Sequence, residues 1–440
     1  MIQTLSYSAE IKHADKIFRK TIDLYQSAVK FCIKVFEAEW SDISAIDAKN
    51  RGRFSFANKL IHSNKNNSAK YQEFDKLFYK MPSYLRAAVI NAALGHLSSY
   101  HSELDNWMNL SDGQKVKTHR PKFQCNLNSL PTFYRGNMYI SDGFQDEVYI
   151  KLYVNNDWSY LPFKLKHTDV ASLKKHMLNA VEISAPTLEH KNHKWFLRFA
   201  FKYDMPLPEL PEVSDRRILA VDLGINTDAV CSVMGADGTI IERRFISFPV
   251  DKDYISHTLN KIKKIQKRYG NHNISRLWRD VKFHNNELAK KTASAIVGLA
   301  VAYDVDVIVF EFLNTKGKKK GSKKQKLSLW KKDSIQRMVT EKAHMNKIRV
   351  SRVNARYTSQ LAYDGSGKVL RGSSVGFHTC ELCRFQSGKM YNCDLSASYN
   401  IGSRYFIREI RKTTSEKKWS CIEAKVPECK IRTHCTLNAL

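Results

Sequence analysis

Between Arg216 and Phe312 the sequence sets out three short apolar runs, two long helical patterns and one further apolar run, and few folds accept that order. Ile218 to Val221 is followed by DLGIN, a second run passes through Val230 and Val233, and an Asp237-Gly238 turn leads into Thr239 to Phe245. The spacing predicts three short antiparallel strands. Ile255, Leu259, Ile262 and Ile265 then recur at helical period, and a further helix is predicted to end near Tyr303. DVDVIVFEF is short, β-branched and apolar, as a buried strand is. Strands first, then a helix-to-strand crossover, predict a mixed α/β sheet.

Three carboxylates stand out by their place on these elements. Asp222 ends the first apolar strand and Glu311 the later one, while Asp394 precedes LSASYNIGSRYF, whose Leu395, Ile401 and Phe406 predict a helix. Singly, each has an ordinary explanation: a turn residue before Gly224, a solvated strand-end charge, a helix N-cap. Together, on neighbouring strands and an adjacent helix, they can converge on Mg2+ or Mn2+, hard ions that take oxygen ligands and let phosphate complete the shell. In a two-metal arrangement one ion activates water and the other stabilises the leaving oxygen.

Charge narrows the partner. Lys and Arg number 72 against 43 Asp and Glu, a formal net charge of +29, which favours a polyanion through counterion release. The membrane is disfavoured, because the longest apolar stretch, Ala295 to Phe312, is broken by Asp304, Asp306 and Glu311. The opening MIQTLSYSAEIKH lacks the zones of a signal peptide, so a cytoplasmic address is expected, with the nine cysteines mostly free thiols. The densest basic segment is Lys316 to Lys326, with Lys318, Lys319, Lys320, Lys323 and Lys324 as candidate phosphate contacts. Lys115, Lys117, Arg120 and Lys122 form a second group. Lys264, Lys267, Arg268, Arg276 and Arg279 form a third, around Trp278, which is either a base-stacking platform or core.

Upstream, Ile17, Phe18, Ile22, Tyr25, Val29, Ile33 and Phe36 predict an amphipathic helix with Asp15 near its start, and a second helix is predicted from Pro82 to Trp107. Period two takes over at Val148 to Val154 and at Trp195 to Tyr203. Pro206, Pro208 and Pro211 mark a linker.

AVDLGINTDAV, VIVFEFL and NCDLSASYNIGSRYF resemble the three RuvC motifs of TnpB-type RNA-guided nucleases and their compact type V CRISPR relatives. The resemblance is specific over about residues 215 to 410 and implies a ribonuclease-H-like nuclease domain behind a β-rich wedge domain with a helical recognition insert. It implies a wedge strand over 1–14, a recognition domain over 15–112, the rest of the wedge over 113–210 and RuvC-like residues over 211–354. A degenerate zinc-ribbon-like insert over 355–392, the third motif over 393–412 and a tail over 413–440 complete the layout. The family's metal-binding acids fall on Asp222, Glu311 and Asp394. The resemblance therefore implies a metal-dependent endonuclease with a guide RNA and double-stranded DNA as partners. A repressor-like protein that binds without cutting is the alternative, and an actin-like or sugar-kinase ATPase a more distant one. In relatives a first C-x-x-C pair follows a TSQ sequence, but here Ala362 and Gly365 stand in its place. Cys380 and Cys383 remain, and Cys393 and His378 are the residues that would complete a zinc site. Zinc is left open, with unmetallated thiols expected.

Overall fold

Two separately packed units divide the chain, residues 2–204 and 205–440. The computed structural model describes all residues except 1, 15, 47–51, 117, 124–129, 142–144, 271–273, 313–323, 373–374, 380 and 426–432.

In the first unit, strand β1 (Ile2–Ile11) leads into helices α1 (Arg19–Ala38) and α2 (Ser83–Met108). A hairpin of β2 (Glu147–Val154) and β3 (Asp157–Lys164) follows, and then β4 (Lys194–Asp204). β4 returns antiparallel to β1, with Ile2 opposite Asp204 and Ile11 opposite Trp195. The helices are therefore an insertion between two partners of one sheet. α1 buries Ile22, Tyr25, Val29, Ile33 and Phe36, the predicted stripe, although it starts at Arg19 rather than Ile17; Asp15 lies outside the described residues. The β2–β3 turn places Asn155 and Asn156 at φ 52° and 60°, the left-handed pair that a tight hairpin requires and asparagine tolerates.

The second unit is the mixed α/β layer structure that the apolar runs predict. Strands β5 (Ile218–Asp222), β6 (Ala229–Met234) and β7 (Ile240–Ile246) form an antiparallel meander. Helices α3 (Pro249–Tyr269) and α4 (Ser275–Ala302) cross to β8 (Val307–Phe312), which pairs parallel with β5. A second crossover through α5 (Lys332–Met345) brings β9 (Arg349–Asn354) parallel to β8, giving the order β7-β6-β5-β8-β9. A small antiparallel sheet of β10 (Leu370–Arg371), β11 (Leu382–Arg384) and β12 (Met390–Asn392) precedes helix α6 (Cys393–Thr413). The short helix α7 (His434–Asn438) packs against α6.

Strand alternation sorts the core. Leu219, Val221, Ile308 and Phe310 face α4 and α5 through Ala293, Ile296, Ile335 and Val339. Ile218, Ala220, Val307 and Val309 face the opposite way, onto Ile401, Tyr405 and Phe406 of α6. That second row continues, at period two, into Asp222 and Glu311.

α6 lies unusually close to the sheet because its inner face is small: Ser396, Ala397, Ser398, Gly402 and Ser403 are all buried. The hydroxyls of Ser398 and Ser232 on β6 meet at 2.5 Å. A Cβ on Gly402 would strike the Met234 sulfur and stand 3.1 Å from the Ala220 Cβ. Met234 is fully buried and has no solvent to turn into. Gly402→Ala, which in an ordinary helix interior gains up to about 1 kcal/mol, is expected here to lose about 1–3 kcal/mol through overpacking. A thermal melt checks this; an alanine variant more stable than wild type would show that the helix has room to spare.

Candidate active site

Parallel pairing brings the first two carboxylates together. Val221 stands opposite Phe310 in the register of β5 and β8, so Asp222 and Glu311 follow at the same level, at the same-sense ends of adjacent strands. Neighbouring strands lie about 4.8 Å apart. Both residues belong to the row that faces α6, whose first turn carries Asp394.

The N-cap of α6 is Asn392: its side chain accepts hydrogen bonds from the Asp394 and Leu395 amides at 3.0 and 2.9 Å. The capping explanation for Asp394 therefore fails, because the neighbouring amide does that job and leaves the carboxylate out of the cap. The strand-end explanation for Glu311 fails as well, since it is only 8% exposed. Its Oε1 accepts a hydrogen bond from the Thr358 hydroxyl, and its backbone carbonyl accepts from Gln336 Nε2 at 3.0 Å. The sharp turn after Asp222 requires Gly224 for close approach, since a Cβ there would meet the Thr227 carbonyl oxygen at 2.5 Å.

The carboxylates are poorly solvated and repel one another. Burial is the largest cause that holds Asp222 well above the ordinary carboxylate range, followed by the charges of Glu311 and Asp394, with Arg371 opposing. Glu311 is raised by burial, against the Thr358 hydroxyl and the Arg404 charge. Asp394 is raised by burial, with Arg371 opposing and Glu381 adding. Among the described residues no group of three or more His, Cys, Asp or Glu side chains stands ready-made as a metal cage. The donor set is all oxygen, and Mg2+ binds through one or two carboxylates when phosphate and water supply the rest, so these residues fit a hard divalent ion.

Four neighbours went unseen in the sequence. Thr358 and Arg371 come from the segment between β9 and β11, Gln336 from α5 and Asn400 from the middle of α6. Asn400 Nδ2 donates to the Thr358 and Leu361 carbonyls at 3.0 and 2.9 Å, and its Oδ1 accepts from the His434 amide at 3.1 Å. Asn392 alone had a readable signal, a polar cap residue just before an apolar helical run.

Among the other candidates, Lys264, Lys267 and Arg268 are exposed near the end of α3, and Arg276 and Arg279 near the start of α4. Trp278 is half-buried and packs against Ile255, Ile262, Val281 and Leu288 between those helices, so part of its ring is committed to the core. In the first unit Arg120 and Lys122 are exposed, and the Lys115 ammonium lies 5.8 Å from the Trp107 ring centroid. Lys117, Lys318, Lys319, Lys320, Lys323 and Cys380 fall outside the described residues, as does the side chain of Lys324. The buried Cys383 has Cys393 as its thiol partner; that hydrogen bond, with burial, pushes the Cys393 thiol up.

Residues 333–401, which hold Thr358, Arg371 and Asp394, match the family model described as Cas12f1-like, TNB domain. The match is to that segment of the second unit. With it, the resemblance to compact type V and TnpB-like nucleases read from the motifs stands. Residues 3–154 match a second model, the Aq_aa04 family. No curated protein matches the sequence. Similar solved structures include a Cas12f1–sgRNA–target DNA complex, 14% identical, covering 91% of this chain and 98% of that one at a TM-score of 0.34. Another is CasPhi-2 (Cas12j) bound to crRNA and phosphorothioate DNA, 8% identical, with coverages of 92% and 91% and a TM-score of 0.43. A third is Alicyclobacillus acidoterrestris C2c1 with single-guide RNA, 10% identical, with coverages of 89% and 66% and a TM-score of 0.41. Among the described residues no helix is long and apolar enough to cross a membrane.

A carboxyl whose folded pKa is raised stabilises the fold below the ordinary carboxylate value, near about 4, and that contribution is lost as pH climbs through the raised value. In chelator, Asp222→Asn is therefore expected to melt above wild type at neutral pH, with the gap closing below about pH 4. Mg2+ is expected to raise the melting temperature of wild type and to do less for the variant. Melting curves across pH, with and without Mg2+, check both. A variant less stable than wild type at neutral pH would mean that the carboxylate is comfortable where it stands.

Proposed function

We propose that this chain is an RNA-guided, divalent-metal-dependent DNA endonuclease, with Asp222, Glu311 and Asp394 as its metal-binding acids. The observation that carries the reading is the row of half-buried to buried carboxylates, mutually repelling, at the ends of two parallel strands and one helix. A fold keeps such a cluster at a cost, and a bound cation relieves it. Mg2+ or Mn2+ there would supply an activated water and stabilise the leaving oxygen. The protein's part is positional. The β5–β8 register sets Asp222 against Glu311, the Thr358 hydroxyl fixes the Glu311 rotamer, and Asn392 fixes the turn that bears Asp394.

Arg371 is proposed as the cation that meets the phosphate, since its charge is felt by both Asp222 and Asp394. The net charge of +29, displayed on exposed residues such as Lys264, Lys267, Arg268, Arg276 and Arg279, is proposed to hold the nucleic acid without reading it. Guide RNA and target DNA, the partners in the Cas12f1 complex, are the partners proposed here.

The test is cleavage of labelled DNA with Mg2+ by protein purified with its bound RNA. Asp222→Ala, Glu311→Ala and Asp394→Ala are each expected to lower the rate by about three orders of magnitude or more while binding survives. Combining them adds little, because the three act as one unit. Asp237→Ala, in the β6–β7 turn, should cut normally. Near-normal cleavage by the Asp222 or Asp394 variant would remove these carboxylates from the mechanism.

Binding should also weaken with salt, by a log–log slope of about 0.9 per neutralised phosphate of duplex DNA. A filter-binding series that stayed flat would remove nucleic acid as the partner.

A further inference from the structure

Part of the Trp278 ring is committed to the core, yet two other rings on the same helices stand in solvent: Tyr254 of α3 is 44% exposed and Phe283 of α4 60%. The chemistry of the three acids uses neither. They belong to one cluster, because the half-buried His284 lies 3.9 Å from the Tyr254 ring and 5.5 Å from the Phe283 ring, centroid to centroid. His284 thus packs against both, which lowers the cost of ordering them on a ligand. A groove of about 500 Å3 runs from this cluster between the two helices. Tyr254, His257, Thr258 and Lys261 line it from α3, and Arg276, Leu277 and Asp280 from α4. Tyr254 meets His284 at one end and Lys261 shares the groove with Arg276 at the other, so the helices are antiparallel and rings and cations stand roughly 10 Å apart along it.

Charge says what the groove takes. From Tyr254 to Tyr269, α3 carries Lys261, Lys263, Lys264, Lys267 and Arg268 and no acid. Among the described residues neither Lys261 nor Arg276 has an ion-pair partner. Asp280 is the one acid on the lining, and it lies between Arg276 and His284 along α4. It repels a phosphate from the middle of the groove and leaves the Lys261–Arg276 end for one. An apolar partner would leave these cations unmatched, and a duplex keeps its base faces covered by their neighbours. A single strand offers phosphates and uncovered bases together, and stacking on exposed rings beside cations is how such strands are held. We infer that the α3–α4 groove is a single-strand site, in which a base stacks on Tyr254 and Phe283 while a phosphate pairs with Lys261 and Arg276. The inference rests on the nucleic-acid part of the reading above and asks nothing of Asp222, Glu311 or Asp394.

The test uses the full chain with its bound RNA, to which single-stranded DNA is added. Ultraviolet light joins rings to the bases stacked on them, and mass spectrometry then shows whether an adduct at Tyr254 or Phe283 carries RNA or the added DNA, which distinguishes the two sources. Affinity for the strand so identified is measured next. Tyr254→Ala combined with Phe283→Ala is expected to weaken it about ten-fold or more, the value of one stacked base. Tyr254→Phe with Phe283→Tyr, which keeps both rings, should leave it as it was. Abasic sites in the strand should cost the wild type as much and the alanine variant nothing further. Lys261→Ala and Arg276→Ala should each lower the log–log salt slope by about 0.7. If the alanine variant melts early, the adduct map and the abasic strand decide on wild type alone. No adduct at either ring, with intact and abasic strands bound alike, overturns the groove's role and leaves the cleavage reading standing. Wild-type protein that holds no nucleic acid overturns both.

Discussion

The parallel pairing of Ile218–Asp222 with Val307–Phe312 is the contact on which everything else in the second unit depends. Parallel strands cannot be joined by a tight turn, so the pairing demands the long crossover that α3 and α4 supply. The same pairing places chain ends of one sense side by side, and that is the only reason Asp222 and Glu311 are neighbours. Antiparallel partners would have sent one of them to the far edge of the sheet.

The helix Cys393–Thr413 supplies the third acid, and its small inner face sets how near that acid can come. Gly402 and the serines around it trade side-chain burial for proximity. What the packing gains in closeness it loses in hydration, since burial holds each carboxyl above its ordinary range, and at Asp222 the charges of Glu311 and Asp394 add to it. The unit is stable enough to bear this because both faces of its sheet are covered, one by α4 and α5 and the other by α6.

Much of this was legible in the sequence because it is written in local periodicity. The apolar runs marked the strands, the stripes at helical period marked the helices, and the positions of Asp222 and Glu311 followed from where the runs stop. Thr358 and Asn400 lie in the TSQ sequence and the third motif, yet neither segment says which acid or carbonyl its side chain meets, and Arg371 has no local signal; only the fold makes these contacts. Trp278 was ambiguous for a related reason. A tryptophan among arginines reads equally as platform or core, and the packing of one helix on its neighbour commits part of the ring to the core. The pairing of Cys383 with Cys393 was hidden behind the more conspicuous C-x-x-C spacing, because a hairpin joins residues that the spacing keeps apart.

The segment Thr433–Asn438 reads in sequence as part of a tail, yet it is tied into the centre. His434 donates from Nε2 to the Gly238 carbonyl at 2.7 Å, and its amide donates to Asn400, which holds the loop of Thr358, which in turn holds Glu311. A relay of three side chains therefore connects residues near 434 to an acid more than a hundred positions earlier. During synthesis the acid emerges long before its last support. Until that support emerges, Glu311 lacks part of the frame that fixes its rotamer, and a nascent chain carries the sheet without the finished site.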